Sequence, residues 1–121
     1  LEVVIMHCVS EYPLIEKNAN LLAIKVLQKK FPKNQIGYSD HCIGSLACLT
    51  AVSLGATVIE KHFTLNKKFK GTDHILSADP SDLKRISIDI KKISFLLGKE
   101  LKKPSFRENK IKHFMRKRFV I

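Results

Sequence analysis

Hydrophobic and polar positions in this chain alternate between two kinds of period. Residues 3–9, VVIMHCV, are apolar without a break, the pattern of a strand covered on both faces. Residues 10–20, SEYPLIEKNAN, lose that pattern and predict a loop. Leu21, Ile24, Leu27 and Phe31 then recur at helical spacing, which predicts a helix over 20–31 with Asn20 as N-cap and Pro32 as its stop. QIGYS (35–39) reads as a second, short strand, and SLACLTAVSLG (45–55) as a helix closed by Gly55. TVIEKHFTL (57–65) predicts a third strand, followed by a polar loop over 66–78. From Asp79 to Gly98 the pattern is that of a long amphipathic helix, with Asp79 as cap, Pro80 in the first turn and Gly98 as the stop. Beyond Gly98 the period is lost.

The order is β-α-β-α-β-α with short connections, so the fold class is α/β: parallel strands joined by right-handed crossovers. Three such units do not close a barrel. They fit part of a doubly wound sheet or three-eighths of a (β/α)₈ TIM barrel. The first strand is not followed by a glycine-rich phosphate loop, which weighs against a dinucleotide-binding sheet.

Composition changes this picture in three ways. At 121 residues the chain accommodates one domain with a modest core, and its start at Leu1 inside an apolar run, with Phe-Val-Ile at its end, predicts a piece of a longer chain. Cys8, Cys42 and Cys48 form no CxxC pair and leave one unmatched, so reduced thiols and a cytoplasmic location are expected, with Cys48 a plain core residue. No apolar run approaches the roughly 20 residues that span a bilayer, so no membrane partner is expected. The net charge of +11 is uneven: from residue 99 onward nine Lys and Arg face only Glu100 and Glu108. Residues 1–98 are thus read as the folded unit and 99–121 as a basic tail or linker. Such a tail could contact nucleic acid, but without interleaved aromatics or a helix-turn-helix pattern nucleic acid is not expected as a partner.

Parallel α/β folds place ligands at the carboxyl ends of their strands. Here all three ends carry chemistry: Ser10 and Tyr12 after the first, Ser39, Asp40 and His41 at the second, Glu60, Lys61 and His62 at the third. Side chains alternate across a strand, so Ser39 shares a side with His41 and Glu60 with His62. Taken singly, a strand-end histidine is an ordinary hydrogen-bonded residue. Two on neighbouring strands suggest a divalent metal, with Glu60 as an orienting carboxylate. Lys61 should point away from His62, His7 is read as structural, and Asp73 and His74 could reach back over the same rim.

The segments HCVSEYP, IGYSDHCIG, LGATVIEKHFTL and GTDH, in this order and spacing, resemble the sialic acid synthases, a family that includes the legionaminate and pseudaminate synthases. The resemblance covers residues 3 to about 98, and RENKIKHFMRKRFVI more weakly resembles the segment leading to that family's antifreeze-like C-terminal domain. It implies a (β/α)₈ barrel of which these strands are the sixth to eighth, the earlier strands being needed to complete it, and a full-length form that pairs as a homodimer. It implies an enzyme that condenses phosphoenolpyruvate with N-acetylmannosamine or a related N-acylated hexosamine, giving a nine-carbon 2-keto sugar acid and phosphate. On the matching positions His41 and His62 would bind a divalent metal, usually Mn²⁺, with Mg²⁺ or Co²⁺ as alternatives. Tyr12 and Asp73 would hold the sugar, and Ser10 and Ser39 would lie near phosphoenolpyruvate. Carbon 3 of phosphoenolpyruvate is a weak nucleophile, and a Lewis acid on the sugar aldehyde answers that need. Two departures stand out: the family often has asparagine at the position of Ser10, and it commonly continues Thr-Pro where this chain has Leu14-Ile15. An inactive truncated remnant and a small α/β binding module with a basic tail are the rival readings.

Overall fold

Three parallel strands, β1 (Val4–Cys8), β2 (Gln35–Asp40) and β3 (Val58–Lys61), form one sheet in the order β1-β2-β3. The computed structural model describes residues 3–115. Leu1 and Glu2, the cations Arg116, Lys117 and Arg118, and the closing Phe-Val-Ile lie outside the described residues. Helices α1 (Ala23–Lys30), α2 (Leu46–Ser53) and α3 (Pro80–Leu97) follow the strands in turn. All three cover the same face of the sheet. Ile36 and Tyr38 of β2 meet Ile24 of α1 and Ala47 and Ala51 of α2, while Ile59 of β3 meets Cys48 of α2 and Ile86 of α3. Among the described residues the helices cover one face of the parallel sheet, whereas a doubly wound sheet carries helices on both faces.

The alternation of side chains divides the strands accordingly. Ile5, Val9, Ile36, Tyr38 and Ile59 pack into the helical layer. Gly37, Ser39 and Glu60 lie on the opposite face, which no helix covers among the described residues, and β1 is only partly buried and not enclosed on both sides as its apolar run predicts. Gly37 is where the sheet is tightest: a Cβ there would sit 2.2 Å from Met6 Sδ and 2.9 Å from the carbonyl oxygen of Val58. Side chains cannot yield on the Val58 side, because the contact is backbone.

Several boundaries differ from the sequence reading. Asn20 does not cap α1; it takes a left-handed φ of 44°, a conformation its short polar side chain tolerates, and the helix begins at Ala23. The loop after β1 contains a 3₁₀ turn over Glu16–Asn18 and buries Leu14, which forms a parallel bridge with Cys42. β3 stops at Lys61, four residues short of the predicted end, and pairing resumes as an isolated bridge between Phe63 and Ala78. α3 begins as expected, with Asp79 accepting from the backbone N–H of Asp82 in a capping box and Pro80 in the first turn. Lys67 reaches both acids from the preceding loop. The region beyond Gly98 holds a further helix, α4 (Phe106–Met115), with no buried residue. Its start is fixed by Ser105 and Glu108, each accepting the other's backbone N–H, a local signal that hydrophobic periodicity does not register.

Gly37→Ala should therefore destabilise the chain by about 1–3 kcal/mol through overpacking, read as a lower urea midpoint with an unchanged slope.

Candidate functional site

The carboxyl ends of the strands bring four of the predicted residues together. β2 and β3 are in register so that Ser39 lies opposite Glu60 and Asp40 opposite Lys61, with His41 and His62 next along each chain. The His41 and His62 rings meet edge to face with centroids 5.3 Å apart. Tyr12 lies over both, 4.0 Å from the His41 centroid and 5.7 Å from that of His62. It is carried there by the loop after β1, whose Leu14 N–H donates to the His41 carbonyl at 2.9 Å. Asp73 Oδ2 stands 3.7 Å from His62 Nδ1. The loop presenting Asp73 is closed by Ser77, whose N–H and hydroxyl both donate to the Asp73 carbonyl, and by Ala78, whose N–H donates to the His62 carbonyl at 2.7 Å.

His41 is buried, and its Nδ1 lies 2.8 Å from the Val9 carbonyl. A carbonyl only accepts, so Nδ1 is the nitrogen that bears hydrogen, and in the neutral ring the lone pair lies on Nε2. His7 is structural, as its position suggests: Nε2–H donates to the Ala19 carbonyl at 2.8 Å and the ring stacks on Tyr38. His74 bonds Thr64 Oγ1 at 2.8 Å within the loop. Glu60 accepts from Ser39 Oγ at 2.6 Å, and the carboxylate that stands beside His62 is that of Asp73. Ser10 is exposed and has no hydrogen bond to the cluster among the described residues. Nor, among those residues, do three or more His, Cys, Asp or Glu converge as a metal cage.

Directly behind the rim lies a group to which the sequence reading gave no role. Asp40 is fully buried and its carboxylate accepts from Tyr38 Oη at 3.1 Å, Cys42 N–H at 2.9 Å, Cys48 Sγ at 3.0 Å and Lys61 Nζ at 2.7 Å. Lys61 does turn away from His62, into the helical layer, and Cys48 is more than core filler because it donates to Asp40. Burial opposes ionisation of Asp40, but the bonds from Cys48, Lys61 and the Cys42 backbone outweigh it and hold the carboxyl below its usual range. Burial and the Asp40 charge push the Cys42 thiol up, and burial and the Asp40 bond do the same to Cys48, so both stay protonated. A cross-strand pair of Asp and Lys at these two positions was the available signal.

Residues 1–102 match the NeuB family. The chain belongs to that family. Among NeuB relatives, the N,N'-diacetyllegionaminic acid synthase of Campylobacter jejuni is 42% identical over 118 residues, covering 98% of this chain and 35% of its own length. The N-acetylneuraminate-9-phosphate synthase of Drosophila melanogaster is 46% identical over 86 residues, 71% of this chain and 23% of its own. The crystal structure of the N-acetylneuraminic acid synthetase of Leptospira borgpetersenii, in complex with citrate, superposes with a TM-score of 0.81 at 38% identity, over 92% of this chain and 39% of that one. The present NeuB chain spans about a third of the length of the curated relatives it matches.

Because the folded-state pKa of Asp40 lies below its unfolded value near ~3.9, its contribution to stability is complete above that value and is lost as pH falls through the folded one. Asp40→Asn should lower stability at pH 7 by about 3 kcal/mol, since it leaves the Lys61 ammonium buried without its anion. It should also flatten the decline of stability below about pH 4. Urea titrations from pH 2 to pH 7 measure both.

Proposed function

We propose that this chain forms the sixth to eighth βα units of a (β/α)₈ barrel that condenses phosphoenolpyruvate with an N-acylated six-carbon sugar. The reaction joins carbon 3 of phosphoenolpyruvate to the sugar aldehyde carbon, adds water at carbon 2 and releases phosphate, leaving a nine-carbon 2-keto acid. One observation carries the proposal: Tyr12, His41, His62 and Asp73 converge at the carboxyl ends of parallel strands in a NeuB chain. The one-sided helical cover and the uncovered polar face support the barrel. An apolar cavity of about 480 Å³ beside β3, lined by Val52, Ile59, Phe63 and Ile86, supports further elements packing there.

The donor set suits an open divalent site of the Mn²⁺, Mg²⁺ or Co²⁺ kind. His41 and His62 stand side by side at neighbouring strand ends, two imidazoles of the kind that bind these ions, with water and substrate oxygens as the further ligands. A bound divalent cation would supply Lewis acidity for the sugar aldehyde. Asp73, partly exposed beside His62, accepts from sugar hydroxyls and orients the acceptor. The half-exposed Tyr12 ring forms a wall over the imidazoles against which the sugar rests. The Ser39 hydroxyl donates a hydrogen bond to Glu60, so a phosphate at this place competes with Glu60 for that donor. Among the described residues no helix is long and apolar enough to cross a membrane, and a cytoplasmic location accords with the substrates named here. Residues 99–121, with α4, form the basic segment after the barrel.

The test combines this chain with the complementary N-terminal part of the Leptospira borgpetersenii synthetase and measures phosphate release. Release should require phosphoenolpyruvate, N-acetylmannosamine and Mn²⁺ together. In the assembled complex His62→Ala should lower the rate by about a hundredfold or more, and Asp73→Ala should raise KM for the sugar more than KM for phosphoenolpyruvate. An assembled complex without phosphate release, or one indifferent to His62→Ala, contradicts the proposal.

A further inference from the structure

The Asp40–Lys61 pair touches no part of the proposed reaction, yet it borders both histidines. Asp40 precedes His41 on β2, and Lys61 precedes His62 on β3. Asp40 Oδ1 accepts from the Cys42 N–H at 2.9 Å, closing a turn with His41 at its centre. Lys61 Nζ sits 2.7 Å from Asp40 Oδ2 and 2.7 Å from the Cys42 carbonyl oxygen, so one ammonium from β3 grips both flanks of His41. Tyr38 and Cys48 occupy the remaining acceptor positions of the carboxylate, which offers about four. Lys61 is also peptide-bonded to His62, whose carbonyl is held by Ala78. The chain of contacts therefore runs unbroken from the backbone of one histidine to that of the other.

Stability alone does not account for such a pair. Replacing a buried ion pair by apolar residues of similar volume is often neutral or stabilising, and the best-attested use of buried charge is to select one register. A one-residue slip of β3 would send His62 to the other face of the sheet and Lys61 to the rim. Only the observed register lets the ammonium reach Asp40.

We propose that Asp40 and Lys61 are positioning residues that set the separation and mutual orientation of the His41 and His62 imidazoles. The consequence for cation binding rests on the function proposed above; the geometry does not. The double variant Asp40→Asn/Lys61→Met removes both charges at once and leaves no unpaired ion. In the folded, metal-free chain, checked by circular dichroism, ring-to-ring nuclear Overhauser contacts among Tyr12, His41 and His62 should weaken or disappear. Lys61→Arg, which keeps the ion pair, should retain them. Cobalt titration should show a dissociation constant raised about tenfold or more in the double variant. A folded double variant with wild-type ring contacts overturns the proposal. If the double variant does not fold, Asp40→Asn alone is subject to the same reading, and unchanged contacts in it overturn the proposal equally. If cobalt binds the wild type no better than His41→Ala/His62→Ala, the cation reading fails while the ring contacts still decide the role of the pair.

Discussion

The register between β2 and β3 is the constraint on which the rest of the site depends. It aligns three successive residues on each strand, so that Ser39 meets Glu60, Asp40 meets Lys61, and the two histidines follow. Parallel strands alone would allow other alignments of similar backbone energy. The buried carboxylate and ammonium remove that freedom, because every slipped alternative strands a charge in an apolar layer. Burial of polar groups here is complete and satisfied: no buried side-chain nitrogen or oxygen among the described residues lacks a partner.

The sheet separates two kinds of chemistry by parity. On the helical side lie Ile36, Tyr38, Ile59 and the Asp40–Lys61 pair, enclosed by α1, α2 and α3. On the other side, which no helix covers, lie Gly37, Ser39 and Glu60, of which only Glu60 is exposed. The absence of a side chain at Gly37 lets Met6 fold across the middle of that face, while polar groups gather at one end of it. A single alternation thus serves packing and site construction together, and a substitution of odd or even position has predictable company.

Much of this was legible in the sequence. The three strands, the three covering helices and the capping of α3 followed from periodicity and from Asp79-Pro80, since each is a local property. That Tyr12, His41 and His62 share a rim was legible because strand ends share an edge, whereas for Asp73, in a loop, the sequence showed only that it could reach back over that rim. What escaped were features set by tertiary contact. Glu60 was expected beside an imidazole, but Ser39, directly opposite in the register, captures it. Asn20 looked like a helix cap, yet the turn into α1 demands a left-handed residue there. The Asp40 network escaped because its partners come from β2, α2 and β3, and no short window contains them. α4 escaped for the opposite reason: its signal is a single turn, Ser105 to Glu108, with no apolar stripe to announce it.

The three thiols are sharply unlike one another. Cys48 and Cys42 are enclosed and held in the protonated form by burial and by the same carboxylate that aligns the strands, whereas Cys8 is open to solvent at the carboxyl end of β1. Thiol reagents require a thiolate they can reach. In this chain by itself, Cys8 is thus the one cysteine open to a fluorophore or spin label, one strand away from His41, and in a closed barrel the same thiol would report on the elements that come to cover it.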